Sequence, residues 1–386
     1  MNIFRLVFPF FDPDVQNWST EARLLRWLTC IWVLVGLVVL FSASYAVADV
    51  EQGDGLYYFK RQLIWTWVGL VGFNTIVRTP LANLLKVSGL LLFVSMGLLL
   101  LTLIGLGSTV NGATRWLSVG PILLQPSELM KPFLVLQGAR IFGNWNRFGI
   151  GAQLAWLGIF ALALVEILLQ PNLSTTALCG MTLWFIAIAA GMRWRDLLGV
   201  GLLGVLTAIL SISIKSYQRR RILSFMDPWK DPRGDGYQLV QSIYAIGSGR
   251  LTGMGYGLSK QKLFYLPIQY TDFIFSIFAE EFGFLGCVLF LLLILFYGTI
   301  SMIIALKSNH RIYRLIAVGS MVVIVGQALL NIGVATGVLP TTGLPLPLFS
   351  YGGSSSLASL FLAALIIRVA RESSQVQAIS LGSQPS

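Results

Sequence analysis

Apolar residues run along this chain in long, nearly unbroken blocks. They do not alternate as in a half-buried strand, nor form the single stripe of a surface helix. A helix that crosses a membrane needs about 20 such residues. The blocks predict about ten spans, roughly Leu25–Val47, Gln62–Ile76, Leu85–Leu106, Pro126–Phe142, Leu154–Leu169, Thr175–Gly191, Leu197–Ile214, Phe273–Leu306, Leu315–Val338 and Ser350–Ile367. The first block is too long for a signal-peptide core and no small-residue cleavage site follows it.

Basic residues between the blocks set an orientation. Arg5, Arg23 and Arg26 precede the first span, Arg78 and Lys86 follow the second, and Arg140 and Arg147 the fourth. Arg193 and Arg195 follow the sixth, Lys307, Arg311 and Arg314 the eighth, and Arg368 and Arg371 the last. The positive-inside rule makes that side cytoplasmic, with both termini inside; Lys60 and Arg61 are exceptions. Lys215–Thr271, between the seventh and eighth spans, is then a large extracytoplasmic loop. It is basic, and aromatic enough to fold as a cap over the bundle, facing something anionic. The expected organisation is a cytoplasmic segment (1–24), a transmembrane domain (25–370, containing the loop 215–271) and a cytoplasmic tail (371–386).

Composition narrows the class. Of 386 residues, 56% are hydrophobic and only 11% charged, with a mean hydropathy of +0.77. Soluble domains carry about 25% charged residues, so a soluble enzyme is excluded, and so is a disordered chain. The expected fold is all-α, a polytopic bundle of about ten helices. The net charge of +11 reads as cytoplasmic loop charge, with no nucleic acid as partner. Cys30, Cys179 and Cys287 match no metal or disulfide spacing, and the single histidine, His310, excludes a His-rich site.

Several stretches carry candidate chemistry. Asn111-Gly-Ala-Thr-Arg-Trp-Leu117 falls on an outer loop and runs into Gly120-Pro-Ile-Leu-Leu-Gln-Pro-Ser-Glu-Leu-Met-Lys131. Pro126 suits a first helical position and Glu128 the positive end of that helix. Glu128 and Lys131, i,i+3 neighbours, form either a local ion pair or part of an outer pocket in which Arg115 and Lys131 clamp phosphate. Glu166, inside an apolar span, marks either a buried polar contact or a path for charge. Asn172 or Ser174 can cap the helix that follows Gln170-Pro-Asn-Leu. Gly247, Gly249, Gly253, Gly255 and Gly257 lack the context of a nucleotide loop. They read as a tight loop, with an anion-binding nest as the alternative.

Asp272, in Leu266-Pro-Ile-Gln-Tyr-Thr-Asp-Phe-Ile-Phe275, closes the basic loop and opens the eighth span. It is either a helix N-cap or a carboxylate at the membrane's outer lip, able to act as a general base. Glu280 and Glu281, on other faces of the same helix, read as structural. Leu339–Ser356, uncharged and rich in Pro and Gly, is either re-entrant, lining the same cavity, or an ordinary loop.

Together these stretches resemble the SEDS family of bacterial cell-wall polymerases, the FtsW/RodA/SpoVE group. The resemblance rests on Asn111–Trp116, Gln125–Lys131, Gln170-Pro-Asn-Leu, Gly236–Ser242, Ala245–Gly249, Thr271–Phe275 and Leu344–Ser354, in family order over nearly the whole chain. It implies a ten-helix fold and a peptidoglycan glycosyltransferase that polymerises lipid II, a disaccharide-peptide on a polyprenyl pyrophosphate, by inverting transfer. The family's essential aspartate corresponds to Asp272, and its characteristic cations to Arg115 and Lys131. The candidate site is then Asp272 as the catalytic base, with Arg115, Lys131, Gln125, Glu128, Arg219, Arg220, Gln241, Ser242 and Ser350 on the substrate side. No metal ligand is assigned, and Mg²⁺ or Mn²⁺ on the substrate pyrophosphate stays open.

The chain departs from the family at Ile268 and Tyr270, where Glu and His are usual, and at Asn172, where Asp is usual. The Ile-Gln-Tyr form and Leu339–Leu344 look like the FtsW type, cyanobacterial in particular. That implies cell division at the septum of the bacterial inner membrane, with a class B penicillin-binding protein transpeptidase, divisome proteins and membrane lipids as partners. The alternatives are a RodA-like elongation polymerase, a lipid II flippase and a division scaffold.

Overall fold

A computed structural model of the chain describes residues 15–16, 18–110, 113–120 and 122–382. Arg5, Asn111, Gly112 and Pro121 lie outside the described residues. All ten expected spans fall on helices: α1 (Thr20–Gln52), α2 (Tyr57–Arg78), α3 (Leu81–Leu101), α4 (Pro126–Gly143), α5 (Ile150–Leu169), α6 (Leu173–Ala189) and α7 (Trp194–Ile214). After the long loop come α10 (Ile274–Lys307), α11 (Arg311–Ala335) and α12 (Gly353–Gly382). Among the described residues seven helices are long and apolar enough to cross a membrane. The other three are α6, apolar but with 17 residues, and α2 and α4, which bury Gln62, Asn74, Glu128, Lys131 and Gln137.

Local chemistry sets several boundaries. Ser19 accepts from Ala22 N–H to cap α1, and Asn172 accepts from Thr175 N–H to cap α6, each satisfying an amide that the helix leaves open. Pro126 starts α4 where no backbone donor is needed. The centre of the bundle is α11 and α12. The first packs on α4, α6 and α10; the second on α1, α2, α4, α10 and α11. An aromatic group joins α1 to α10 and the last loop: Trp32 meets Phe290 and Tyr297 edge-on at 5.7 and 5.4 Å, and Phe290 meets Phe349 at 5.0 Å. The periphery is α7, which packs mainly on α6 and turns Leu198, Leu202, Leu206 and Ile209 outward, as a lipid-facing helix does.

At one end of the bundle Arg368 and Arg371 both donate to Val77 O, at 3.2 and 2.8 Å, and Glu372 accepts from Leu81 N–H. The other end carries the added structure. There α3 ends in a π-helical turn (Thr102–Leu106), where a continuous helix was expected. A small antiparallel meander follows, β1 (Ser108–Val110), β2 (Ala113–Val119) and β3 (Ile122–Leu124), in the order β1-β2-β3. The segment 215–271 is folded at this end too, with α8 (Ser216–Met226), a 3-10 turn (Pro228–Lys230) and α9 (Tyr237–Ser248), which packs on α10.

The eighth span differs from expectation. It is not one helix: Gly283 adopts φ 66, ψ −168 and breaks it. The gap is filled by the chain that follows α9. Met254 and Gly255 N–H donate to the carbonyls of Glu280 and Glu281, and Phe284 and Leu285 N–H donate to those of Arg250 and Leu251. A Cβ on Gly283 would stand 2.2 Å from Gly253 N, so only glycine fits both the backbone angle and the approach. The crossing portion therefore starts after the break, and the first turns of α10 form a separate shelf behind Asp272.

Candidate functional site

Asp272 stands two residues before α10, whose N-cap is Phe273 with no side-chain cap. It is thus neither an N-cap nor a first-turn residue, and helical angles between it and Glu280 or Glu281 do not apply. What fixes it is its backbone. The carbonyls of Tyr270, Thr271 and Asp272 each accept one hydrogen bond, from Tyr351 N–H at 3.0 Å, Ser350 Oγ at 2.6 Å and Asn331 Nδ2 at 2.7 Å.

The carboxylate itself accepts no hydrogen bond among the described residues. Two cations act on it, Arg221 from α8 and Arg115 from β2. Arg221 donates to Thr341 O at 3.1 Å and lies over the Tyr217 ring at 4.6 Å. Arg115 donates to Gln170 O and Pro171 O in the turn between α5 and α6. Gly343 marks how close the groups are: a Cβ there would stand 3.4 Å from Asp272 Oδ2 and 3.9 Å from Arg221 Nη1. Burial pushes the Asp272 carboxyl above the usual aspartate range, and Arg221 and Arg115 pull it back. Burial also lowers Arg115, and Arg221 adds to that.

The last loop takes the re-entrant form. Leu344–Ser350 is largely buried, and the Leu348 carbonyl would lie 2.5 Å from a Cβ on Gly36, half-way along α1. Several of its backbone groups are bonded by protein, which is what irregular chain inside a membrane protein requires. Gln327 Nε2 donates to Pro345 O at 2.8 Å, Asn331 Nδ2 to Leu344 O at 2.8 Å, and Leu346 N–H to Ser350 Oγ at 2.8 Å.

The remaining expected residues separate into groups. Lys131 is fully buried, and its Nζ donates to Glu128 Oε1 at 2.6 Å and Gln327 Oε1 at 2.8 Å. The local ion pair is what forms, and it engages the Lys131 ammonium that the alternative reading gave to phosphate. Ser242 is buried as well: it shares a hydrogen bond with Ser276 Oγ and donates to Ala335 O, both at 2.6 Å, tying α9 to α10 and α11. Its neighbour Gln241 is half-buried on α9. Ser350 is a buried backbone tie, as described. Among the described residues the Gln125 side chain accepts nothing: its backbone N–H donates to Ser354 Oγ and its Nε2 to Ser127 Oγ. Arg219 and Arg220 are exposed on α8. The third arginine of that run, Arg221, is the one that reaches Asp272.

Glu280 accepts from Ser248, Ser259 and the amides of Lys260 and Gln261. Glu281 pairs with Lys262 at 2.8 Å and accepts from Ser42. Both are structural, and the glycine-rich run beside them serves as a tight loop against α10. Glu166 is buried in α5 with no hydrogen-bond partner among the described residues. Asn331 and Gln327 were not singled out from sequence. The available signal was two amides at i,i+4 in an otherwise apolar span.

A model of the family described as "Cell cycle protein", FtsW/RodA/SpoVE, matches residues 22–375. The chain belongs to the FtsW/RodA/SpoVE family. A relative from Synechocystis, named "Probable peptidoglycan glycosyltransferase FtsW", is 58% identical over 99% of this chain and 98% of its own. Among solved structures, a chain from a study of polymerization and crosslinking by a peptidoglycan synthase complex superposes with a TM-score of 0.75 at 30% identity. It covers 91% of this chain and 98% of that one. The rod shape determining protein RodA of Thermus thermophilus gives 0.68 at 28%, covering 92% and 98%. This FtsW/RodA/SpoVE chain is accordingly a multi-pass, helical membrane protein.

Proposed function

We propose that this chain is an FtsW-type peptidoglycan glycosyltransferase that polymerises lipid II. The observation that carries the reading is the presentation of Asp272, whose backbone is held at three successive carbonyls while its carboxylate stays unbonded between two arginines. The full-length likeness to the Synechocystis relative supports the division type over the elongation type. Asp272 takes the proton from the acceptor sugar's 4-hydroxyl. That oxygen forms its bond to the donor's anomeric carbon as the bond to pyrophosphate breaks, and the centre inverts from α to β. Polyprenyl pyrophosphate leaves with the bonding electrons, its charge balanced by Arg115 and Arg221 as preorganised cations. Any Mg²⁺ or Mn²⁺ arrives on the pyrophosphate. A base works best with a pKa near the working pH, and burial shifts Asp272 in that direction.

In this reading the Asp272 end faces outward, with 215–271 above it, and the segments 1–24 and 371–386 are cytoplasmic. The protein works at the septum of the inner membrane with a class B penicillin-binding protein transpeptidase and other divisome proteins. The test is a gel assay with the purified chain, that transpeptidase and labelled lipid II. A ladder from wild type and none from Asp272→Ala is expected. No ladder from folded wild type beside a working partner would overturn the polymerase reading in favour of a flippase or scaffold.

A further inference from the structure

We infer that Asn331, on α11, is the positioning residue that sets Asp272 for proton abstraction, and that the buried Glu128–Lys131 pair braces it from behind. The inference rests on the polymerase reading above. Asn331 is 1% exposed, and its single amide nitrogen donates twice, to Asp272 O at 2.7 Å and to Leu344 O at 2.8 Å. It is therefore the one side chain among the described residues that bonds both the backbone of Asp272 and the loop bearing Gly343, which flanks the Asp272 carboxylate. The other amide atom, Oδ1, is buried without a partner. An orphaned buried acceptor is unfavourable, so the site keeps this amide for its donors.

One turn earlier on the same face, Gln327 repeats the arrangement. Its Nε2 donates to Pro345 O, and its Oε1 accepts from Lys131 Nζ, which is held in turn by Glu128. Two consecutive carbonyls of the re-entrant loop, Leu344 and Pro345, thus rest on two amides of α11, and the buried lysine fixes the lower amide's orientation. Lys131 acts through this chain, not by touching substrate. Ser350 and Tyr351 complete the hold from the far end of the loop. Asp272 is set by loop and helix together, so releasing Asn331 lets the carboxylate drift relative to Arg115, Arg221 and the acceptor hydroxyl. A misplacement of about 1 Å can lower a rate about 100-fold.

The test is steady-state polymerisation by the full-length chain with its transpeptidase partner, titrating labelled lipid II. Asn331→Leu keeps the volume and removes the donors; Asn331→Gln keeps a donor on a longer arm. Gln137→Leu, which removes a buried amide bonded to Ser88 elsewhere in the bundle, is the structural control. The expected result is a kcat lower by about 10- to 100-fold for Asn331→Leu, with KM within about twofold and partial recovery in Asn331→Gln. Gln137→Leu should lower thermal stability but not kcat per folded molecule. A folded Asn331→Leu with wild-type kcat, or with its loss wholly in KM, would overturn the inference. If Asn331→Leu does not fold, Asn331→Gln and Ser350→Ala decide: a reduced kcat supports the inference and wild-type kcat in both overturns it. A wild type that makes no polymer fails earlier, on the reading beneath.

Discussion

Two acidic regions precede the break at Gly283 in α10, and the fold treats them in opposite ways. On the first turns of α10, Glu280 and Glu281 are buried and tied down by Ser248, Ser259, two amides, Ser42 and Lys262, with only Glu281 Oε2 left unbonded among the described residues. Just ahead of α10, the carbonyls of Tyr270, Thr271 and Asp272 are each bonded, while the Asp272 carboxylate is bonded to nothing among the described residues. The difference separates a carboxylate that holds structure from one that is held for use. A carboxylate tied to hydroxyls, amides or an ammonium does not present itself to a substrate proton. An anchored but unbonded one does, and burial next to Arg221 and Arg115 governs when it is ionised.

The largest effect expected is on activity alone. Asp272→Asn should lower polymerisation by about 100- to 10,000-fold, the contribution of a positioned base, measured as ladder intensity per folded molecule. Its stability should not fall. A carboxyl raised on folding favours the fold only while protonated: that contribution is complete below the ordinary aspartate range and is lost as pH rises through the raised value. At neutral pH, removing the charge therefore leaves the melting temperature unchanged or higher.

Glu281→Gln should do the reverse. It leaves the Lys262 ammonium buried without its counter-charge, and breaking such a pair costs about 3–5 kcal/mol, read as a lower melting temperature with unchanged activity per folded molecule. Gly283→Ala should destabilise as well: the positive φ alone costs about 1–3 kcal/mol, and the 2.2 Å approach of Gly253 N adds to it, seen by thermal unfolding. The smallest change sharpens the comparison instead of breaking it. The acid limb of the rate profile should lie above the ordinary aspartate range, because activity is lost as pH falls through the raised value. Arg221→Gln removes one of the two cations opposing that rise, so the limb should move to still higher pH.

The ten long helices were legible in sequence because extended, mostly apolar runs of about that length have one common meaning. The break in α10 was not. Gly283 sits in an apolar run, and its backbone angle is imposed by the chain from Arg250 to Gly255, which no local pattern reveals. The meander β1-β2-β3 was hidden for a related reason, since strands as short as Ser108–Val110 carry too few residues to show a period. At the site, Asp272 and Arg115 were singled out through their motifs, but the second cation acting on Asp272 was not. Arg219, Arg220 and Arg221 look alike in a row, and only the direction of α8 selects Arg221. For Lys131 the choice between ion pair and clamp stayed open because its partner Gln327 arrives from a distant helix. Side chains that meet across the bundle are set by packing, which sequence order does not display.

The decisive measurement is a paired one, on Asp272→Asn and Glu281→Gln purified side by side, with the polymerisation rate and melting temperature of each taken from the same sample. The account predicts an inactive Asp272→Asn that melts no lower than wild type, and a Glu281→Gln that melts lower but polymerises normally when folded. An active Asp272→Asn, or one whose loss of activity only follows a loss of folded protein, would contradict it.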